Sequence, residues 1–146
     1  MTNPAPQLTA HLIVIGDEIL TGKIKDINTY QVAQWLGSQG FRLKYSTMTP
    51  DTPNELLSVL KQAWEECDFV LTTGGLGPTA DDITKETLGR FFGGSLKVNS
   101  KAEALAKLHY SRIQKEWSPQ TNSYHLIPEG MEPVGNPKGL APGLSF

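Results

Sequence analysis

Asp68-Phe69-Val70-Leu71-Thr72-Thr73-Gly74-Gly75-Leu76-Gly77-Pro78-Thr79-Ala80-Asp81-Asp82-Ile83-Thr84 is the stretch on which the reading of this chain turns. Residues 68–72 read as a strand that runs straight into a glycine-rich loop. Three glycines in four positions (74, 75 and 77) free the backbone to take positive φ and to approach a ligand closely. A loop of free N–H groups leading into a helix N-terminus is an anion cradle. A tight strand-to-helix turn is the plainer alternative. The helix itself is expected over 83–92, from Ile83, Leu88, Phe91 and Phe92, and ends at Gly93-Gly94.

Working back from the loop, residues 8–15 form an apolar run ended by Gly16. Being apolar on both faces, it suits an inner strand of a parallel sheet. Asn28 is placed as the cap of a helix reaching about Gly37, and residues 41–47 read as a second strand. Thr52-Pro53-Asn54-Glu55 has the form of a capping box. Leu56, Leu57, Leu60 and Trp64 then share one helical face. Forward of the loop, 96–98 is a brief strand. Ser100-Lys101-Ala102-Glu103 opens a helix to about Trp117, with Leu105, Leu108, Ile113 and Trp117 as its core stripe. Residues 119–146 read as extended chain and turns, with a strand near 124–127.

Strand, helix, strand, helix, strand, loop, helix is a doubly wound α/β pattern. In the order 2-1-3, strands one and three are neighbours, and their outgoing loops flank the crevice where such sheets bind ligands. The 146 residues suit one domain over 8–146 behind a disordered lead over 1–7. With a net charge of −2 there is no basic field to attract nucleic acid or an anionic membrane. No apolar run nears the roughly 20 residues of a membrane span. The single cysteine, Cys67, reads as a small core residue, and its lack of a disulfide partner suggests a reducing, cytoplasmic setting. The last 28 residues hold five prolines and four glycines, and the chain stops in GLAPGLSF as an apolar stretch begins, so the domain is expected to be cut short.

The crevice chemistry is acidic. Asp17 and Glu18 follow strand one; Asp81 and Asp82 follow the glycine loop. Four carboxylates in one place repel, and a divalent cation or raised pKa values relieve that. Hard oxygen ligands suit Mg²⁺, with substrate phosphates completing its shell. The competing reading makes Asp81 or Asp82 a helix cap and Asp17-Glu18 a solvated turn. Gly75 to Ala80 formally fits a dinucleotide fingerprint and Gly16 to Lys23 approaches a P-loop. The first follows the wrong strand, and the second has the wrong spacing and no Ser or Thr for a metal. His11, His109 and His125 lack metal-ligand spacing. Lys85 reads as an exposed helix lysine, with a phosphate contact as the alternative.

Gly16-Asp17-Glu18-Ile19-Leu20 with Asn28-Thr29, the Thr72 to Thr84 segment and Ile127-Pro128-Glu129-Gly130 through Gly143 together resemble the CinA-type branch of the molybdopterin-binding domain family. The resemblance covers about residues 8–143. It implies a three-layer α/β/α fold with a mostly parallel sheet, and a pterin-phosphate ligand on the glycine loop, with Thr73, Gly74, Gly75, Gly77, Thr79 and Asn28 as contacts. It also implies catalytic aspartates at Asp82 and at Asp51 of the Pro50-Asp51 pair. Metal-dependent cleavage of ADP-ribose with Mg²⁺ or Co²⁺ held by Asp17, Glu18 and Asp81 is the activity it suggests; a homo-oligomer is the expected assembly. The alternative is a molybdopterin- or nucleotide-binding, or oligomerisation, module without catalysis.

Overall fold

The computed structural model describes residues 7–146. Of the lead expected over 1–7, all but Gln7 lies outside the described residues; the Gln7 amide donates to the Gly40 carbonyl at 3.0 Å. The chain divides into two compact units, Met1–Gly74 and Gly75–Phe146.

The first unit runs β1 (Thr9–Ile15), α1 (Asp17–Leu20), α2 (Asn28–Ser38), β2 (Arg42–Thr49), α3 (Pro53–Glu66) and β3 (Phe69–Thr73). The three strands are parallel in the order β2-β1-β3, as the sequence pattern led us to expect. One crossover steps from β1 to β2 and the next steps back across β1 to β3. Right-handed connections in opposite directions place α2 and α3 on opposite faces. That is why β1 is buried from Ala10 through Ile15. Full burial of Leu12 and Ile13 alone contributes roughly 1.5–3 kcal/mol each. At the start of the sheet the Asp68 carboxylate accepts from the Thr9 N–H at 2.7 Å and the Thr9 hydroxyl at 2.8 Å, joining β3 to β1.

Four local expectations need correction here. Asn28 does not cap α2; the Asp26 carboxylate does, accepting from the N–H groups of Asn28 (2.9 Å) and Thr29 (3.1 Å). Thr52 stands at the cap of α3, but its side chain makes no capping bond. Trp64 is 51% exposed, and the buried face is Leu56, Leu60 and Ala63. These three recur at i, i+4 and i+7, and the short Ala63 side chain lets the helix lie close to the sheet. Cys67, at the C-terminal cap of α3, is half-buried rather than a core residue.

The second unit holds α4 (Thr84–Phe92), β4 (Leu96–Val98), α5 (Ser100–Arg112), β5 (Leu126–Pro128), β6 (Glu132–Val134) and β7 (Gly143–Ser145). β4 pairs with β5 and β6 with β7, both antiparallel. Helix α4 stops at Gly93, whose φ of 78° supplies the left-handed cap. Asn99, one residue before the expected Ser100, caps α5; its side chain accepts from the Ala102 N–H at 3.0 Å.

Helix α5 ends at Arg112, and its buried face is Ala102, Ala106 and His109. Leu108 and Ile113 are exposed, so the expected leucine stripe is displaced by one position. Bulky partners explain the choice. Ala106 packs in a cluster with Trp117 and Tyr124, flanked by Tyr110, Leu140 and Ala141, and large rings against the helix select small residues on it. Trp117 is thus core, but beyond the helix. Residues 136–141 are secured by His109, whose Nδ1 lies 2.8 Å from the Leu140 carbonyl and whose Nε2 accepts from the Asn136 N–H at 3.4 Å. Two hairpin strands, β6 and β7, stand where extended chain was expected.

Candidate functional site

In the first unit the carboxyl ends of the strands carry three of the expected site segments. Gly16 leaves β1 at φ 154° and donates its N–H to the Thr49 carbonyl at 3.1 Å. The Glu18 carboxylate folds back over it: a Cβ on Gly16 would stand 2.7 Å from Glu18 Oε1. Asp51, just past β2, accepts from the Asp17 N–H through Oδ2 at 3.0 Å. Asp51 and Asp17 therefore meet, but as brace and braced backbone. Asn28 extends its amide to the Thr73 hydroxyl at 3.4 Å, bringing two expected ligand contacts together at the end of β3. Gly74 has φ 100°, and a Cβ there would collide with the Ile15 carbonyl oxygen, so only glycine fits where β3 ends beside β1.

In the second unit the loop from Gly75 to Ile83 folds on the Asp82 carboxylate. Oδ1 accepts from the Gly77 N–H at 2.7 Å; Oδ2 accepts from the Thr79 N–H at 2.9 Å and the Thr79 hydroxyl at 2.6 Å. Gly75 takes φ 63°, and its carbonyl accepts from the Thr84 N–H at 3.1 Å. A Cβ on Gly75 would run into the Thr84 hydroxyl, and one on Gly77 into Asp82. The positive φ and the Thr84 contact select glycine at 75, a side chain at 77 would displace the Asp82 carboxylate, and the Gly77 N–H is already occupied by Asp82. The N–H groups of Gly75 and Leu76 find no acceptor among the described residues.

Asp81 is exposed, and the neighbouring Thr79 hydroxyl donates to Asp82 at 2.6 Å instead. Among the described residues no group of three or more His, Cys, Asp or Glu side chains gathers as a metal-holding set. Neither Asp81 nor Asp82 caps α4 through its side chain; the cap position is Ile83.

Lys85 is the residue whose burial the sequence reading missed. It is 6% exposed, not solvated. Its ammonium donates to the Ser123 carbonyl at 2.9 Å and hydroxyl at 3.2 Å, and lies 6.0 Å from the centre of the Tyr124 ring. Burial pushes its pKa down, against the pull of Asp82 and Glu86. The same burial, with Tyr110 and Asp82 adding to it, pushes Tyr124 up. The available signal was the composition of α4. Thr84, Lys85, Thr87 and Gly89 are buried alongside Leu88, so this helix turns a largely polar face inward.

Residues 11–145 match the family described as "Probable molybdopterin binding domain". The chain is 36% identical to a competence-damage inducible protein of Clostridium kluyveri, over 95% of this chain and 34% of that one. It is 35% identical to the Bacillus subtilis protein of the same name, over 92% and 32%. It therefore spans about a third of the length of these relatives. Among solved structures, the protein CinA from Thermoplasma acidophilum superposes with a TM-score of 0.83 at 33% identity, covering 94% of this chain and 80% of that one. The tungsten cofactor synthesizing protein MoaB from Pyrococcus furiosus gives 0.58 at 27% identity, covering 76% and 67%. The α/β fold with its parallel sheet is thus that of the molybdopterin-binding proteins, and the chain belongs to the molybdopterin-binding domain family, on the side of the CinA proteins.

Proposed function

We propose that this domain binds a small molecule through its phosphate, held by the N–H groups of Gly75 and Leu76. One observation carries the reading. The loop is built on glycines whose Cβ positions are already filled by neighbouring atoms, and an aspartate fixes its far side while two adjacent N–H groups stay unpaired among the described residues. The likeness to a tungsten cofactor synthesizing protein supports a pterin phosphate as one ligand. ADP-ribose, with two linked phosphates, is the other. A divalent cation, Mg²⁺ or Co²⁺, would neutralise phosphate charge and lower the pKa of a bound water for attack on the pyrophosphate. Asp17 and Glu18 in the first unit and, separately, Asp81 in the second are its candidate ligands. One or two carboxylates with the phosphates themselves suffice for such an ion. Asp82 and Asp51 are the candidate residues for handling the water, and the domain is assigned to the cytoplasm as a homo-oligomer.

A second reading, a binding module without hydrolysis, is favoured by the engagement of Asp82 with three loop donors, which leaves it little freedom to take a proton. Product analysis with ADP-ribose, with and without Mg²⁺ or Co²⁺, separates the two. Metal-dependent release of AMP is expected for the hydrolase. Thermal stabilisation without product supports the module. The absence of both effects with ADP-ribose, together with no stabilisation by a molybdopterin ligand, overturns both.

A further inference from the structure

The Lys85 charge has no counter-charge in contact. Among the described residues its ammonium makes no ion pair; both its acceptors are the neutral carbonyl and hydroxyl of Ser123. A buried cation is costly unless paired. An ammonium also has three N–H groups, and Ser123 takes two. The surrounding titratable groups are Asp82 and Glu86, whose fields reach the amine, and Tyr124 with Tyr110 beyond it. Asp82 is turned toward Gly77 and Thr79, so its charge is shared with the loop. Lys85 follows Thr84, whose N–H bonds to the Gly75 carbonyl and whose hydroxyl fills the space beside the Gly75 Cα. The lysine thus springs from the residue that seats the loop's unpaired N–H groups.

We propose that Lys85 is the anion-recognition residue of this site: its third N–H and its buried charge meet the phosphate of the ligand that Gly75 and Leu76 hold. The inference rests on the phosphate reading above and deepens it. It also gives the charge a use at a position where an apolar side chain of similar length would fill the same space. A tether to Ser123 alone needs no charge, because Ser123 is half-buried and water can satisfy its oxygens.

The test compares the wild-type chain with Lys85→Met and Lys85→Arg. The probes are inorganic pyrophosphate and ADP-ribose, followed by thermal shift and calorimetry. Without a probe, Lys85→Met should be as stable as wild type or more so, since it removes an unpaired buried charge. With a probe, its affinity should fall at least tenfold, and Lys85→Arg should restore part of it. Wild-type affinity should also weaken as the solution is made alkaline, at a lower pH than an ordinary lysine would give, and Lys85→Met should lose that dependence. Equal binding by wild type and Lys85→Met overturns the lysine assignment while leaving the phosphate reading standing. Loss of stability in Lys85→Met without a probe, with binding preserved, makes the lysine a structural tether and overturns it too. Failure of both probes to bind the wild-type chain overturns the phosphate reading and this inference with it.

Discussion

Replacing Asp82 with alanine removes three hydrogen bonds at once, and their sizes can be ranked from their surroundings. The bond from Gly77 at 2.7 Å is part-buried, so it stands near the lower end of the roughly 1.5–3 kcal/mol that a charged acceptor supplies. The two from Thr79 are exposed and contribute about 0.5 kcal/mol each. The loop should lose about 2.5 kcal/mol of local stability, an increase of roughly fiftyfold in its open population. Asparagine should not rescue it. With its amide oxygen toward one N–H, its NH₂ group faces the other, donor against donor. The assay is amide hydrogen exchange at Gly77 and Thr79, which reads local opening rather than global unfolding. Both amides should exchange tens of times faster in Asp82→Ala and in Asp82→Asn, with the exchange of Leu12 and Ile13 in β1 unchanged. Wild-type exchange at Gly77 in Asp82→Ala would refute the reasoning. A consequence follows for enzymology: lost turnover in Asp82→Asn is not by itself proof of a catalytic base, because the loop opens in the same variant.

Three further outcomes follow from the same geometry. Gly74→Ala should lower stability in urea denaturation by about 1–3 kcal/mol or more, since it forces a Cβ onto the Ile15 carbonyl at φ 100°. Asn99→Ala should cost about 1 kcal/mol, because it deletes a formed cap, whereas Thr52→Ala should stay within a few tenths, because Thr52 makes no side-chain bond there; paired urea melts decide it. His11 is buried at the centre of the sheet with Nδ1 unpartnered, and burial lowers its pKa against the pull of Glu66. The unfolded chain then binds the proton more readily than the folded one, so stability is full above the ordinary histidine value of 6.5 and falls as pH drops below it toward the lowered folded value. Denaturation midpoints from pH 8 to 5 should show that slope in wild type, and His11→Gln should flatten it.

The parallel sheet was legible because its signals are local: an apolar run ended by Gly16, a second strand between two helices, and a third running into Gly74. The glycine loop was legible for the same reason, since the constraints on Gly75 and Gly77 lie within ten residues and only that on Gly74 reaches across to Ile15. What escaped depended on partners distant in sequence. Ala106 faces inward because Trp117 and Tyr124 fill the space opposite, and hydropathy ranks Leu108 above it. Lys85 reads as solvated until Ser123, 38 residues on, is brought beneath it. The Asp82 role lay between the two cases. Its position was flagged, but whether it capped the helix or braced the loop depended on backbone angles at Gly75 and Gly77.

The imidazole of His109 touches the last third of the second unit at only two points, yet both belong to one run of chain. Asn136 adds the rest: its side chain accepts from the N–H groups of Lys138 (3.0 Å) and Gly139 (2.9 Å) and donates to the Ala141 carbonyl (3.0 Å). A run with one proline, Pro137, and few ladder bonds of its own is thereby wired to α5 through the His109 ring, with the Arg112 guanidinium donating to the Asn136 carbonyl at 3.0 Å. Its bonds should form and break together, so residues 136–141 behave as one cooperative element that α5 licenses, ordered only after that helix has set.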